Sequence, residues 1–414
     1  MKRRVIAGIL SFLLLFSFSG CGTSAQAKTL DLMAGVEAAP ANAAAEPTDA
    51  DLAAVADVSV RLFQNGSAAG ENSLLSPFSI LCALAMTANG AKGETLEQME
   101  DVFGLSLPEL NDCLHALLQS LPSDDKDKVS IADSIWLKDD ERLTVEQSFL
   151  QTNADEYGAS VYKAAFDDGT LKDINAWVDK KTDGMIENIL DKIPQDAVLY
   201  LINALSFDAE WENIYKENQV HDGTFTTESG ETRNVKMMAQ SEGKYLNDGN
   251  ATGFLKYYAG RKYAFAALLP NEGLSMDDYI ASLSGGALTN TLTNAQDSTV
   301  QTEIPKFEAE FSVELRDALK SMGMTDAFDS EKADFTGLGR SESGNLFISR
   351  VLHKTHIAVD EKGTKAGAAT VVEMTSGAAL PGKTVLLDRP FLYMLIDCET
   401  NLPLFIGTMM DPGE

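Results

Sequence analysis

"DEKGTKAGAATVVEM", residues 360–374, decides how the rest of this chain is read. It opens with charges and a glycine, narrows to threonine and alanines, and only then becomes an apolar, strand-like run. Directly before it, "LFISRVLHKTHIAV" from Leu346 is rich in β-branched residues and reads as a strand. Small, uncommitted residues after a strong strand fit an ordinary edge strand with a flexible lead-in. Why a chain places its least committed segment so near the end of a large fold is for the remainder of the sequence to answer.

Working outward, 414 residues with 44% hydrophobic and 8% aromatic content can bury a sizeable core. No Pro/Gly/Ser-rich break divides the chain after about residue 50, so residues 49–414 read as one large domain. The formal charge is -29, and it becomes -32 if residues 1–20 leave with Lys2, Arg3 and Arg4. That acidity excludes nucleic acid as a partner and reads as a solvated, mutually repelling surface.

"MKRRVIAGILSFLLLFSFSGCGTS" has a basic start, an apolar stretch short for a membrane span, and small residues ending at Cys21. It reads as an export signal over residues 1–20. "FSGC" resembles a bacterial lipoprotein box in which Cys21 is acylated, with Phe18 standing where leucine is usual. Ordinary signal cleavage therefore stays open, and the expected location is the cell surface as a lipoprotein, or secretion. Residues 21–48, Ala-rich and without an amphipathic period, read as a flexible tether. Cys82, Cys113 and Cys398 remain, an odd number without close pairing, so no disulfide framework is implied.

Several elements are legible. "TLEQMEDVF" places Thr95 and Gln98 at capping-box spacing and predicts a helix start. "DINAWVDKKTDGMIENIL" predicts a helix whose stripe continues past Gly184 through Met185, Ile186, Ile189 and Leu190. "FSVELRDALKSMG" predicts another from Phe311, Leu315, Leu319 and Met322, stopped by Gly323. "KYAFAALLP" from Lys262 and "PFLYMLIDC" from Pro390 predict strands. Helices gather early and strands late, which gives an α+β class on a large, mostly antiparallel sheet.

Catalytic templates find little support. "GAALPGKT", Gly377 to Thr384, matches a P-loop pattern, but phosphate binding there needs a helix starting at the Lys-Thr pair. The residues that follow, "VLLDRPFLYML", are β-branched and aromatic, with Pro390 where a second helical turn would run. There is no G-x-S-x-G, H-E-x-x-H or C-x-x-C motif. His353 and His356 fall on opposite faces of a strand and cannot share a metal.

With these motifs in view the sequence resembles the serpin family from about residue 50 to 412. The resemblance is carried by "NSLLSPFSILCALAMTANGAKGETLEQM", "LINALSFDAEW", "VQTEIPKFEAEFSVELRDALKSMGMTDAF", "VLHKTHIAVDEKGTKAGAAT" and "DRPFLYMLIDCETNLPLFIGTMMDP", in the family's order. It implies a serpin fold with further sheets, about eight or nine helices and an exposed reactive-centre loop near the C-terminus. It implies no enzyme activity, no cofactor and no metal. The implied action is suicide inhibition, in which a target serine protease cuts the loop and the loop then enters the main sheet as an extra strand, trapping the acyl-enzyme. Inward positions would be Thr364, Ala366, Ala368, Thr370, Val372 and Met374, all small or apolar, while the charges at Lys365 and Glu373 fall outward. Lys365 departs from the family's usual acidic residue.

The implied hinge comprises Glu361, Gly363, Thr364, Ala366, Gly367, Ala368, Ala369 and Thr370. Counting from Glu361 puts the cut after Gly377, and counting back from "RPF" puts it after Ala379, so the expected bonds are Gly377–Ala378 or Ala378–Ala379. Such small residues suit an elastase-like or subtilisin-like protease, bound covalently by a monomeric inhibitor. By the same resemblance Ser76, Ser79, Asn203 and His353 form the polar group where the central strands part, and Trp211 stands where the loop goes in. A non-inhibitory serpin and, more remotely, a P-loop nucleotide-binding enzyme are the alternatives.

Overall fold

The computed structural model describes residues 29–39, 45–121, 127–140, 142–342, 344–364 and 382–413. The expected export segment, Cys21, the hinge residues Ala366, Gly367, Ala368, Ala369 and Thr370, and the scissile candidates Gly377, Ala378 and Ala379 lie outside them. Nine α-helices and two large sheets occur among the described residues.

The sheet that matters for function takes seven strands: β1 (Leu30–Asp31), β2 (Asp127–Lys138), β3 (Ser160–Ala164), β4 (Leu199–Glu210), β5 (Phe307–Glu314), β6 (Arg350–Val359) and β7 (Gly363–Thr364). Their spatial order is β1-β3-β2-β4-β7-β6-β5, and β4 also pairs directly with β6. The β2–β3 and β4–β6 pairings are parallel and the others antiparallel. β4, "LYLINALSFDAE", is apolar on both faces because both are covered. Leu199, Leu201, Leu205, Phe207 and Ala209 face the main core, while Tyr200, Ile202 and Ala204 face a smaller cluster built with Trp136, Ile174 and Val178. Asn203 shares the parity of the first set, so a polar side chain is turned towards the main core.

Three helices frame this sheet: α1 (Asp49–Gly66), α2 (Pro77–Ala88) and α3 (Asp168–Lys181). Thr48 and Asp51 close a capping box at the start of α1, and Ser76 caps α2 ahead of Pro77. All twelve residues of α2 are buried, with Ser79 among them, so this helix runs through the core behind β4. α3 covers the other face through Ile174 and Val178. A second sheet of nine strands completes the molecule, and its strands Phe391–Asp397 and Pro403–Met409 are wholly buried.

Tertiary pairing overrides several sequence expectations. Phe311–Glu314 is strand, because β5 is zipped to β6 from Phe307↔Val359 to Glu314↔Leu352, and the helix is confined to Arg316–Ser321. α3 ends at Lys181, where Asp183 (φ 51°) and Gly184 (φ 78°) turn the chain, and Ile186, Ile189 and Leu190 are buried from a non-helical segment. The helix containing Thr95 begins at Gly93 with Lys92 at the N-cap position, three residues earlier than its capping pattern suggests. Thr95 and Gln98 instead accept hydrogen bonds from a distant part of the chain, the backbones of Asp334 and of Thr325 and Asp326. Leu346–Ser349 precede β6 without joining it.

Residues 29–39, expected as part of a flexible tether, are docked. β1 pairs with the exposed edge of β3, Leu32 N–H donates to Val161 O at 2.9 Å, and Ala39 N–H donates to Asp155 Oδ1 at 2.7 Å. Leu32, Met33 and Val36 pack against the main core. An unpaired strand edge takes up such a segment readily.

Candidate functional site

The site is the seam between β4 and β6. Over Tyr200–Leu205 the two strands pair directly, in register with Arg350–Thr355. At the far end they are held apart by β7, in which Gly363 pairs with Glu210 and Thr364 pairs with both Ala209 and Val359. The chain beyond β6 has thus folded back and placed two residues in the position of an additional strand.

The turn that does this is held from several sides. Asp360 Oδ1 accepts from the amides of Lys362 (2.7 Å) and Gly363 (3.2 Å), an Asx turn that reverses the chain. Trp211 donates its backbone N–H to Lys362 O (2.8 Å) and its indole Nε1–H to Asp360 O (2.9 Å), and Tyr215 N–H donates to Glu361 O (2.8 Å). The Glu361 carboxylate accepts from Lys306 Nζ at 2.8 Å. A Cβ at Gly363 would lie 2.0 Å from Ala209 O, so only glycine fits between the flanking backbones there. Thr364 is fully buried on the core face, its hydroxyl hydrogen-bonded to Tyr258 OH at 2.6 Å.

Along the seam the structure brings Ser76, Ser79, Asn203 and His353 together. His353 is buried and Ser76 N–H donates to its Nε2 at 3.0 Å, which leaves the proton on Nδ1 to be donated to Asn203 Oδ1. Asn203 Nδ2 in turn donates to Ser79 Oγ and to Asp133 Oδ1. Ser79 Oγ donates to the same Asp133 oxygen at 3.1 Å, and Ser79 N–H to Ser76 Oγ at 3.4 Å. Of these links, Asn203–His353 alone joins the side chains of β4 and β6.

Asp133 is the member that sequence reasoning missed. It sits on β2 opposite Asn203 and borders a cavity of about 200 Å3 shared with Tyr157, Trp177 and Lys181. Desolvation pushes its carboxyl up to about 7, with the Asn203 and Ser79 hydrogen bonds opposing the shift. Burial alone drives His353 down to about 3, so the imidazole stays neutral. An acidic residue inside the apolar stretch "VSIADSIWL" was the available signal. His356 points to the other face and meets Glu308, as its position on the strand requires.

Among the described residues, the P-loop pattern is not followed by a helix. Lys383–Leu386 is a strand running parallel to Gln296–Pro305 rather than a helix, so no helix N-terminus is available at the Lys-Thr pair.

The seam thus seats the two residues Gly363 and Thr364 as a short seventh strand between β4 and β6 at one end, while the two strands pair directly over the rest of its length. The family model for serpins, serine protease inhibitors, matches residues 53–412, and the chain belongs to the serpin family. Among individual relatives, an uncharacterized serpin-like protein of Thermococcus kodakarensis is 33% identical over 368 residues, covering 85% of this chain and 84% of that protein. The thermophilic serpin tengpin in its native state superposes with a TM-score of 0.89 at 46% identity, covering 93% of this chain and all of that one. Its latent state gives 0.78 over 88% of this chain. Human thyroxine-binding globulin, solved with bound thyroxine, shares the fold at 25% identity and a TM-score of 0.78, covering 88% of this chain and all of that one.

Proposed function

We propose that this serpin is a suicide-substrate inhibitor of serine proteases with a small primary pocket, elastase-like or subtilisin-like. The protease serine attacks the carbonyl of Gly377 or Ala378, the amine of the next residue leaves, and the loop enters the sheet with the acyl-enzyme still attached.

One observation carries this reading. Gly363 and Thr364 already pair with Glu210 and Ala209, and if that register continued down the seam, Ala366 would meet Phe207, Ala368 Leu205, Thr370 Asn203 and Met374 Leu199, the first residue of β4. The insertable stretch and the strand receiving it therefore have the same length. Every residue on Thr364's face is small or apolar, and the one hydroxyl deep in the stretch arrives opposite the one amide. If β6 moved away with His353, Thr370 would stand opposite Asn203 and its hydroxyl could replace the partner that Asn203 loses. The intact fold is a kinetically held state that releases free energy once the loop is cut.

Gly377, Ala378 and Ala379 support a shallow primary pocket, and Lys383 lies in a sheet strand beyond the loop, which disfavours trypsin-like targets. The basic start and short apolar run ending at Cys21 support export, as a lipoprotein or by ordinary cleavage. No cofactor or metal enters the mechanism.

The test is to mix the protein with subtilisin and with elastase. The expected result is a complex that survives boiling in detergent, a released C-terminal peptide beginning at Ala378 or Ala379, and a cleaved form that melts well above the intact one. Clean cleavage with no complex and no rise in melting temperature supports a non-inhibitory serpin instead.

A further inference from the structure

Lys256 lies on the strand Ala251–Tyr257 of the second sheet and is 1% exposed, which is exceptional for a lysine. Its ammonium donates to Glu242 Oε1 (2.9 Å), Gln240 Oε1 (2.6 Å) and the backbone carbonyl of Asn213 (3.2 Å). It also lies against two aromatic faces, 4.3 Å from the ring centre of Tyr215 and 5.2 Å from that of Trp211. Burial draws its pKa down from the ordinary lysine value, and the Glu242 carboxylate opposes that shift. Burial raises Glu242 in turn, and against both shifts three acceptors match the three donors of an ammonium, the arrangement that favours the ion pair.

Three of the residues Lys256 touches, Trp211, Asn213 and Tyr215, alternate along the short segment that directly follows β4. That segment is the one whose amides and indole hold the carbonyls of Asp360, Glu361 and Lys362. Trp211 also stacks on Tyr258, ring centres 4.4 Å apart, and Tyr258 holds Thr364. A charge in the second sheet is thereby connected, contact by contact, to the first inserted residue of the first sheet. A cation held over ring faces in a desolvated site is directional enough to fix both rings.

We propose that Lys256 is a positioning residue for loop insertion, its ammonium fixing the 211–215 segment and through it the turn from which the loop threads. The inference rests on the inhibitor reading for its consequence, since a looser turn starts insertion later and gives the protease more time to deacylate and leave. Lys256 stands outside the β4–β6 seam, so the final inserted state does not depend on it.

The variant Glu242→Gln/Lys256→Met removes both charges without stranding either, and Gln240→Leu is a milder second variant that keeps the ion pair. In the uncleaved protein, hydrogen exchange at the Trp211 and Tyr215 amides is expected to speed up by about tenfold in the double variant, roughly the loss of one net hydrogen bond, and less in Gln240→Leu. With subtilisin, the number of inhibitor molecules consumed per protease trapped is expected to rise, while the cleaved variant still melts as high as the cleaved parent. Unchanged exchange at both amides in both variants, or faster exchange with an unchanged number consumed, overturns the proposal. A parent protein that is cleaved without a complex or a rise in melting temperature overturns the inhibitor reading instead, and the exchange measurement still judges whether Lys256 holds the segment.

Discussion

The two ends of the seam are fastened in different ways. Where Gly363 and Thr364 enter, the fastenings are bonds from Trp211 and Tyr215 to backbone carbonyls, together with ion pairs, and they lie outside the space a new strand would fill. In the middle, the side-chain bond that crosses from β4 to β6 is Asn203–His353, and it runs through that space. In the proposed insertion the first set would persist as a pivot, and the second would have to break as a latch. A pivot tolerates charges because its surroundings never change. A latch in a packed interior is built from groups that are neutral or nearly so, since an ion stranded on opening costs several kcal/mol.

The sharpest way to break the pivot is Gly363→Val. Any side chain there meets the Ala209 carbonyl, so β7 cannot seat; an overpacking penalty of about 3 kcal/mol corresponds to roughly a hundredfold loss of trapped protease. Densitometry of the detergent-stable complex measures this. Wild-type yield from the valine variant would remove β7 from any role as the start of insertion.

The latch is tested through pH. His353, neutral when folded and with an unfolded value near 6.5, makes stability fall as pH drops below 6.5, because the unfolded chain then binds the extra proton. Asp133, raised to about 7, works in the opposite sense: between about pH 4 and 7 the folded state holds a proton that the unfolded chain has lost, so stability rises as pH falls through 7. Within one hydrogen-bonded group the two effects offset each other. Asp133→Asn keeps an acceptor for Asn203 and Ser79 but removes the compensation. The variant is expected to lose about 2 kcal/mol relative to its own value at pH 7 by pH 5, where the parent changes little. Denaturant titrations at the two pH values measure it, and parallel pH profiles for parent and variant would refute the offset.

A smaller effect sharpens the exchange of partners. Thr370→Val keeps shape and β preference but leaves Asn203 short of a partner once the loop is in. The cleaved form is expected to lose about 1 kcal/mol, while the intact form melts unchanged. A drop in the intact form's melting temperature would mean that Thr370 already has a partner before cleavage.

How much of this could be read in advance differs by region. Strands buried on both faces were plain: Tyr263–Pro270 and Phe391–Asp397 follow from continuous apolar runs. Amphipathic stretches misled where a neighbour claimed the backbone, as at Phe311–Glu314, which β6 draws into the sheet despite a helical stripe. The polar residues of the latch follow from family motifs, but Asp133 does not: its place in an apolar stretch marks it as unusual, while its partner Asn203, seventy positions on, is set only by the fold. Lys256 was passed over for the same reason: in "GFLKYY" it is one more surface lysine until the fold buries it.

By itself the sequence determined the period-two pattern of the loop, its small side chains, its length and the glycine at its base, since these are properties of covalent chemistry and spacing. Only the tertiary structure decided that Gly363 and Thr364 lie between β4 and β6, in what register, and which charges end up buried beside them. Those depend on contacts between residues more than a hundred positions apart, such as Gly363 with Glu210 and Thr364 with Tyr258, and no local preference encodes them.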